Sequence, residues 1–358
     1  MPRHPLSAAL SCALLFASAT LPTFAAEPVV SVAKVKWVMP WKAGVALDYA
    51  TESLTDETKD GARQRSRSTD VTHMRIKDAN DQGFIQSWAS DGVRYEVLEG
   101  NNDEAERRAF NAQVADLVME VELNPDGNLI GMHNLDAILP RLRKATEQMA
   151  RQQAEKEFAK IADPKAREAA RAKAEENLPR VVDRFLSPAL VQGLLTRVVS
   201  NYNGFFGVEV EPDQPYELAL ELPNPIGGAP LPAKLTFSMS ISEEDAEDLY
   251  VAYDVTVDAE KAAAMALKIG EKIADSKATD QDKAALKSLD IQTEGLFVVH
   301  RPTGIIEMFE DTQTTVVGTT KKVERNRFRQ LNGPHEHTWR DEETPEGEEA
   351  EQASSTAS

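Results

Sequence analysis

One helical stretch in the middle of the chain, Leu135–Asn203, most constrains how the sequence can fold. The residues on both sides of it have the alternating pattern of β-strands. Its helix starts are marked by Asp163-Pro164 and Ser187-Pro188, where an N-cap residue precedes a proline whose missing N–H costs nothing at the first helical position. The sequence therefore predicts an α+β fold in which a central helical block separates two antiparallel β-rich halves.

The helical block has two parts of different character. Residues 141–177 form a charged arm whose apolar stripe, beginning with Leu142, is thin, so this part can bury little of its surface and is predicted to project. Residues 188–202 are apolar over most of the helix circumference. Gln192 and Arg197 interrupt this second part, which is also too short to span a bilayer. We predict a core helix that lies on a sheet.

The two β-rich halves contain the same elements in the same order. Each has three strand patterns, a helix and a hairpin, and the hairpin turns Pro125-Asp126-Gly127 and Pro302-Thr303-Gly304 have the residues of type I turns. Two arrangements remain open. The halves are either a duplicated, pseudo-symmetric pair, or parts of one continuous sheet wrapped around the helix Ser187–Tyr202. Both arrangements predict a curved or open-barrel-like sheet.

The first 26 residues predict secretion. A short basic region at Arg3 precedes the apolar stretch Leu6–Ala19, and Phe24-Ala25-Ala26 offers small residues for cleavage. The single cysteine, Cys12, lies inside this segment, so the mature chain is expected to be held together by burial without disulfides. These features predict a periplasmic protein of a Gram-negative bacterium, and no later stretch predicts a transmembrane helix.

The tail that begins at Gly333 has a different composition from the body. It is rich in Pro, Glu, Ser and Thr, and Trp339 is its one aromatic residue, so we predict a disordered acidic tail. The predicted segments are a signal peptide at 1–26, an N-terminal β-rich half at 27–133, the helical block at 134–204, a C-terminal β-rich half at 205–332 and the tail at 333–358.

The charge balance and the missing motifs exclude several functions. With 40 Lys and Arg against 59 Asp and Glu, the net charge of −19 opposes binding to nucleic acid. The chain has no Gly-x-Ser-x-Gly elbow, no phosphate-binding loop, no dinucleotide fingerprint and no His-Glu-x-x-His pattern. No cofactor is predicted and a non-enzymatic function is favoured, although the many carboxylates leave an enzyme open.

His335-Glu336-His337 is the one histidine cluster of the sequence. Alternating histidines in an extended chain can share a metal ion, and acidic neighbours would help. Since this cluster lies in the predicted tail, two solvated histidines that meet by chance are the favoured interpretation. No metal site is predicted.

Two functional hypotheses follow from the predicted architecture. In the first, the chain is a periplasmic binding protein that holds a lipid or another apolar or amphipathic small ligand between the sheet and the helices, with Gly204-Phe205-Phe206-Gly207 as an exposed tip at the cavity mouth and residues 222–232 as a lid. In the second, it is a scaffold that contacts a periplasmic protein partner through the charged arm. The predicted ligand-binding residues are Phe205, Phe206, Leu218, Phe237 and Leu195.

Overall fold

The computed structural model describes residues 34–100, 104–222, 230–274 and 277–339. The predicted signal peptide, most of the predicted lid and residues 340–358 of the predicted tail lie outside these ranges. Within the described ranges the strands are β1 (Val35–Lys36), β2 (Ala46–Lys59), β3 (Ala62–Asn80), β4 (Gly83–Ser90), β5 (Arg94–Glu99), β6 (Met119–Leu123), β7 (Leu129–Met132), β8 (Glu209–Val210), β9 (Tyr216–Leu222), β10 (Leu231–Ile241), β11 (Asp248–Val257), β12 (Asp290–His300), β13 (Ile305–Val317) and β14 (Thr320–Leu331). The helices are α1 (Glu104–Val114), α2 (Leu135–Ala159), α3 (Pro164–Phe185), α4 (Pro188–Asn203), α5 (Ala259–Ala274) and α6 (Asp280–Leu286).

Twelve strands form one antiparallel sheet, which confirms the predicted α+β class. Its order is β7-β6-β4-β3-β2-β14-β13-β12-β11-β10-β9, and β5 pairs with β3 beside this path. The two β-rich halves join where β2 pairs with β14, from Asp48 opposite Leu331 to Lys59 opposite Thr320. The sheet is therefore continuous but open, with β7 and β9 at its edges. Common descent of the two halves stays a prediction.

Alternating side chains divide the sheet into two faces. Along β10, Leu235, Phe237 and Met239 are buried while Lys234 is exposed, as expected for a strand whose successive side chains point to opposite faces. We call the face that carries these buried residues, and against which α4 lies, the inner face. The other is the outer face.

The core sits between the inner face and the end of α4. Tyr202, at the end of this helix, is fully buried, and its hydroxyl lies 2.6 Å from that of Tyr49 on β2. The Tyr49 hydroxyl in turn donates to the carbonyl of Ile306 on β13, at 2.9 Å. A buried hydroxyl that lacks a partner is costly, so this chain of hydrogen bonds fixes the helix end against strands from both halves.

Helices α2 and α3 form an antiparallel hairpin. Across it, the Arg143 guanidinium lies 3.2 Å from the Asp183 carboxylate, and the Arg171 guanidinium lies 2.5 Å from the Glu155 carboxylate. Most of the hairpin is exposed or half-buried, so its charges pair largely in solvent, where each pair contributes little stability. None of the helices in the described ranges has the length and apolarity needed to cross a membrane.

The prediction of a disordered tail is wrong for residues 333–339. Asn332 has a positive φ of 62° and reverses the chain after β14, which returns the tail to the outer face. There Trp339 is buried against Val298 and Met308. Composition alone missed this contact because the apolar surface that covers Trp339 belongs to β12 and β13, far away in the sequence.

Candidate functional site

An apolar cavity lies between the inner face and three helices. It has a volume of about 520 Å³ and is floored by Trp88 on β4 and Phe328 on β14. Its size is within the usual range for small-molecule sites, which is roughly 300–1,000 Å³. The cavity is lined by Thr72, Trp88, Ala89, Ser90, Phe110, Val114, Leu117, Met119, Ile138, Leu142, Thr146, Leu186, Val191, Leu195, Val198 and Phe328.

Helical spacing places the apolar side chains of the walls. On α4, Val191, Leu195 and Val198 follow each other at intervals of four and three residues, which puts them on one side of the helix. On α2, Ile138 and Leu142 lie four residues apart and line the same cavity. These apolar residues of α2 thus lie where the helix meets the sheet.

The lining is almost free of polar groups. Among the described residues that line it none is charged, and its polar side chains are the hydroxyls of Thr72, Ser90 and Thr146. The indole N–H of Trp88 donates to Oε1 of Gln86 at 2.9 Å, so the ring is left to present carbon to the cavity. A site of this composition excludes ions and favours an apolar group.

The five predicted ligand-binding residues lie at different places in the described part of the chain. Leu195 lines the one between the helices and the sheet, whereas Phe237 borders a separate depression of about 450 Å³ beside Tyr253. Leu218 packs half-buried against the core. A ligand contact for these residues stays a prediction.

The expectation that Phe205 and Phe206 form an exposed tip is wrong. Both rings are buried, and they pack against Trp37 with centroid distances of 6.3 and 5.0 Å. The positive φ of Gly207, 79°, permits the bend that the sequence suggested. The bend turns the rings toward the core because Trp37, directly after β1, provides an apolar partner there.

A second cluster lies on the outer face and joins the described part of the tail to the sheet. Oε2 of Glu307 lies 2.9 Å from Nε2 of His337 and 3.1 Å from Nδ1 of His335. Oδ1 of Asp248 lies 3.2 Å from the same Nδ1. The two carboxylate residues are buried and the two histidines are half-buried. The interpretation of these histidines as solvated by chance is therefore wrong.

The cluster shifts the protonation of its members. Burial raises the pKa of Glu307, but hydrogen bonds from His337 and His335 outweigh burial and hold that pKa below its usual range. The hydrogen bond to Glu307 raises the pKa of His335. Burial raises the pKa of Asp248, and the neighbouring charge of Glu307 adds to this effect. The two histidines thus stabilise the charged form of Glu307, whereas the charge of Asp248 is less well compensated.

Comparisons with known proteins assign no family. No family model matches the chain, and no curated protein matches it. A solved structure described as "Lipid-protein interactions in lipovitellin" is similar, with a TM-score of 0.40 and 8% identity over 83% of this chain. The match covers 26% of that structure, so the chain spans about a quarter of its length. A likeness of this degree does not establish a common fold or a common ligand.

Proposed function

We propose that the protein is a non-enzymatic binding protein that holds the apolar chain of a lipid or another amphipathic molecule in the cavity between the inner face and helices α1, α2 and α4. The observation that carries this proposal is a cavity of about 520 Å³ whose lining has three hydroxyl groups and no charged side chain among the described residues. Such a lining offers a ligand little besides removal from water.

The energetics favour an alkyl chain over a small polar ligand. Each methylene transferred from water into such a cavity contributes about 0.8 kcal/mol. Burial of about ten methylenes would then contribute roughly 8 kcal/mol before the costs of association, which are at least about 4 kcal/mol. An acyl chain is thus long enough to bind measurably, and a ligand with two or three carbons is not.

The polar end of such a ligand would remain near the rim. Among the lining residues, Ile138, Val191 and Trp88 are buried, whereas Leu142 and Leu195 are half-buried. A charged headgroup buried in the apolar part would lose its hydration without gaining a partner. The ligand is therefore expected to enter with its hydrocarbon end first.

Export to the periplasm belongs to the same proposal and is supported by the order of basic, apolar and small residues in the first 26 positions. An apolar ligand needs a carrier to cross an aqueous compartment. A periplasmic location therefore agrees with an apolar binding cavity. N-terminal sequencing of protein recovered from the periplasmic fraction should give a start at Ala26 or Glu27. A chain in that fraction that still begins at Met1 contradicts the export proposal.

Opposite volume changes at Leu195 test the cavity directly. Leu195→Trp fills it and should weaken binding of an environment-sensitive fluorescent fatty acid at least about tenfold, because about two or more methylenes lose their place. Leu195→Ala enlarges the cavity and should retain binding of the same probe. Fluorescence titration gives the affinity, and circular dichroism verifies that each variant is folded.

Ile130→Trp is the matched control, since Ile130 on β7 is 60% exposed and does not line the cavity. It should bind the probe like the wild type. The proposal fails if the wild-type protein does not bind the probe, or if a folded Leu195→Trp variant binds it as tightly as the control.

A further inference from the structure

We propose that Asp248, Glu307, His335 and His337 form a binding site for a divalent transition-metal ion of the zinc class, which fastens the segment 333–339 to the outer face of the sheet. This site is separate from the apolar cavity, which lies on the inner face, and does not depend on the proposed ligand.

The four residues offer four convergent ligand atoms. One atom from each residue lies within 4.8 Å of the atoms of the other three. The Nε2 atom of His337 and the Nδ1 atom of His335 lie 2.9 and 3.1 Å from Oε2 of Glu307. Around a tetrahedral zinc with bonds of about 2.0–2.1 Å, ligand atoms are separated by about 3.3 Å. An ion would therefore separate these two pairs by only a few tenths of an ångström, and it would draw together the remaining pairs, which lie within 4.8 Å of each other.

Asp248 provides an independent indication that an ion belongs here. Asp248 is 5% exposed. Its Oδ1 atom accepts no hydrogen bond from the described residues, although Nδ1 of His335 lies 3.2 Å away. A buried carboxylate oxygen that accepts no hydrogen bond is costly, even with a charged neighbour. An ion placed between Asp248 and the histidines would compensate this oxygen.

The backbone brings the ligands together by two irregularities. The pairing of β12 with β13 shifts between Val298 and Val299, where Val298 faces Met308 and Val299 faces Ile306. Glu307 is thus the extra residue of a β-bulge, a feature that often redirects a side chain next to a functional site. The reversal at Asn332 then carries the two histidines back over this bulge.

The donor set indicates which metal ions suit the site. Two imidazoles and two carboxylates match zinc and its neighbours in the first transition row, whereas calcium and magnesium prefer sites made of oxygen atoms alone. Since all four ligands belong to the protein, the geometry is that of a structural site. A bound ion would join β11, β13 and the tail.

Zinc titration of the full-length chain by isothermal calorimetry, in excess calcium to occupy surface carboxylates, tests the proposal. The expected result is one zinc ion per chain. The double substitution of His335→Gln and His337→Gln should lower the zinc affinity by at least about 100-fold, because loss of even an outer partner of a ligand commonly costs 10–100-fold. Asp248→Asn should also lower it, since an amide replaces a charged ligand.

His133→Gln is the matched control. His133 also pairs with a carboxylate, with Nδ1 lying 2.7 Å from Oε1 of Glu122, but it lies away from the cluster. This variant should bind zinc like the wild type. X-ray absorption of the zinc-loaded wild-type chain should show two imidazole ligands, a readout that holds even if a tail variant loses stability.

Three results would overturn the site. The first is no stoichiometric zinc binding by the wild-type chain in calcium. The second is wild-type affinity in the double histidine variant or in Asp248→Asn. The third is an absorption spectrum without imidazole ligands.

Discussion

Replacement of Trp339 by alanine removes the main apolar contact of the described tail. The indole is 8% exposed and packs on Val298 and Met308. The guanidinium carbons of Arg327 and Arg329 lie 4.9 and 5.1 Å from the ring centroid. The ring therefore closes a small apolar patch on the outer face of the sheet.

The expected loss in the free energy of unfolding is about 2–4 kcal/mol. Truncation of a fully buried Trp costs about 3–5 kcal/mol, and each cation–π contact adds roughly 0.5–1 kcal/mol when exposed. Two effects reduce this value. The patch is small, and the indole N–H of Trp339 has no hydrogen-bond partner among the described residues, which costs the native state roughly 1–3 kcal/mol.

Urea unfolding, monitored by far-ultraviolet circular dichroism of the backbone, measures this loss. The midpoint should fall while the slope of the free energy against urea stays constant. At roughly 2 °C per kcal/mol for a chain of this size, the melting temperature should fall by about 4–8 °C. A Trp339→Phe variant keeps an apolar ring and should lose less.

A chain that ends at Trp339 is the second control. It lacks residues 340–358, whose composition has no apolar periodicity, and should unfold like the full chain. A Trp339→Ala variant whose free energy of unfolding stays within about 0.5 kcal/mol of the wild type would refute the packing argument.

Two further predictions concern His73 and Gly304. His73 lies between Asp48 and Asp91 at 2.7 and 2.8 Å, and its hydrogen bond to Asp48 raises its pKa, so its stabilising effect is complete below the ordinary histidine pKa and is lost as the pH rises through the raised value. The loss of unfolding free energy in His73→Gln should thus be larger at about pH 5.5 than at about pH 9. Gly304 has a φ of 75°, and an added Cβ would lie 1.7 Å from the Val38 carbonyl oxygen, so Gly304→Ala should destabilise the protein by more than about 2 kcal/mol.

Gly207→Ala is the matched control for Gly304→Ala. Gly207 has a similar φ of 79° but open space at its Cβ position, so Gly207→Ala should cost only the backbone strain of about 1–2 kcal/mol. Equal losses for the two glycine variants in urea unfolding contradict the clash at Gly304. A His73→Gln effect that does not vary with pH contradicts the ion-pair argument.

Local pattern accounts for much of the fold. The alternation in Leu235, Phe237 and Met239 is enough to place β10, because one face of that strand is buried. The end of the hairpin formed by β2 and β3 has no such pattern. Near its turn, the strands pair through the backbone, and Arg63 lies 2.5 Å from the Asp56 carboxylate. This part of the hairpin therefore needs no alternating apolar residues.

The sites were harder to predict because they depend on long-range pairing. The apolar helix around Leu195 is visible in the sequence, but no local signal predicts that Phe110 and Leu142, on other helices, line the same cavity. Glu307 lies 28 residues from His335 and reaches it through a β-bulge and a chain reversal. The two histidines in the polar tail do not by themselves predict the bulge or the chain reversal.

Native mass spectrometry of the full chain tests the central claim, that the cavity between the helices and the sheet holds an apolar chain. After incubation with a long-chain fatty acid, the wild-type protein and Ile130→Trp should each carry one ligand per chain, and Leu195→Trp should carry much less of it. An unliganded wild-type protein, or a folded Leu195→Trp variant that carries the fatty acid to the same extent, would contradict the claim.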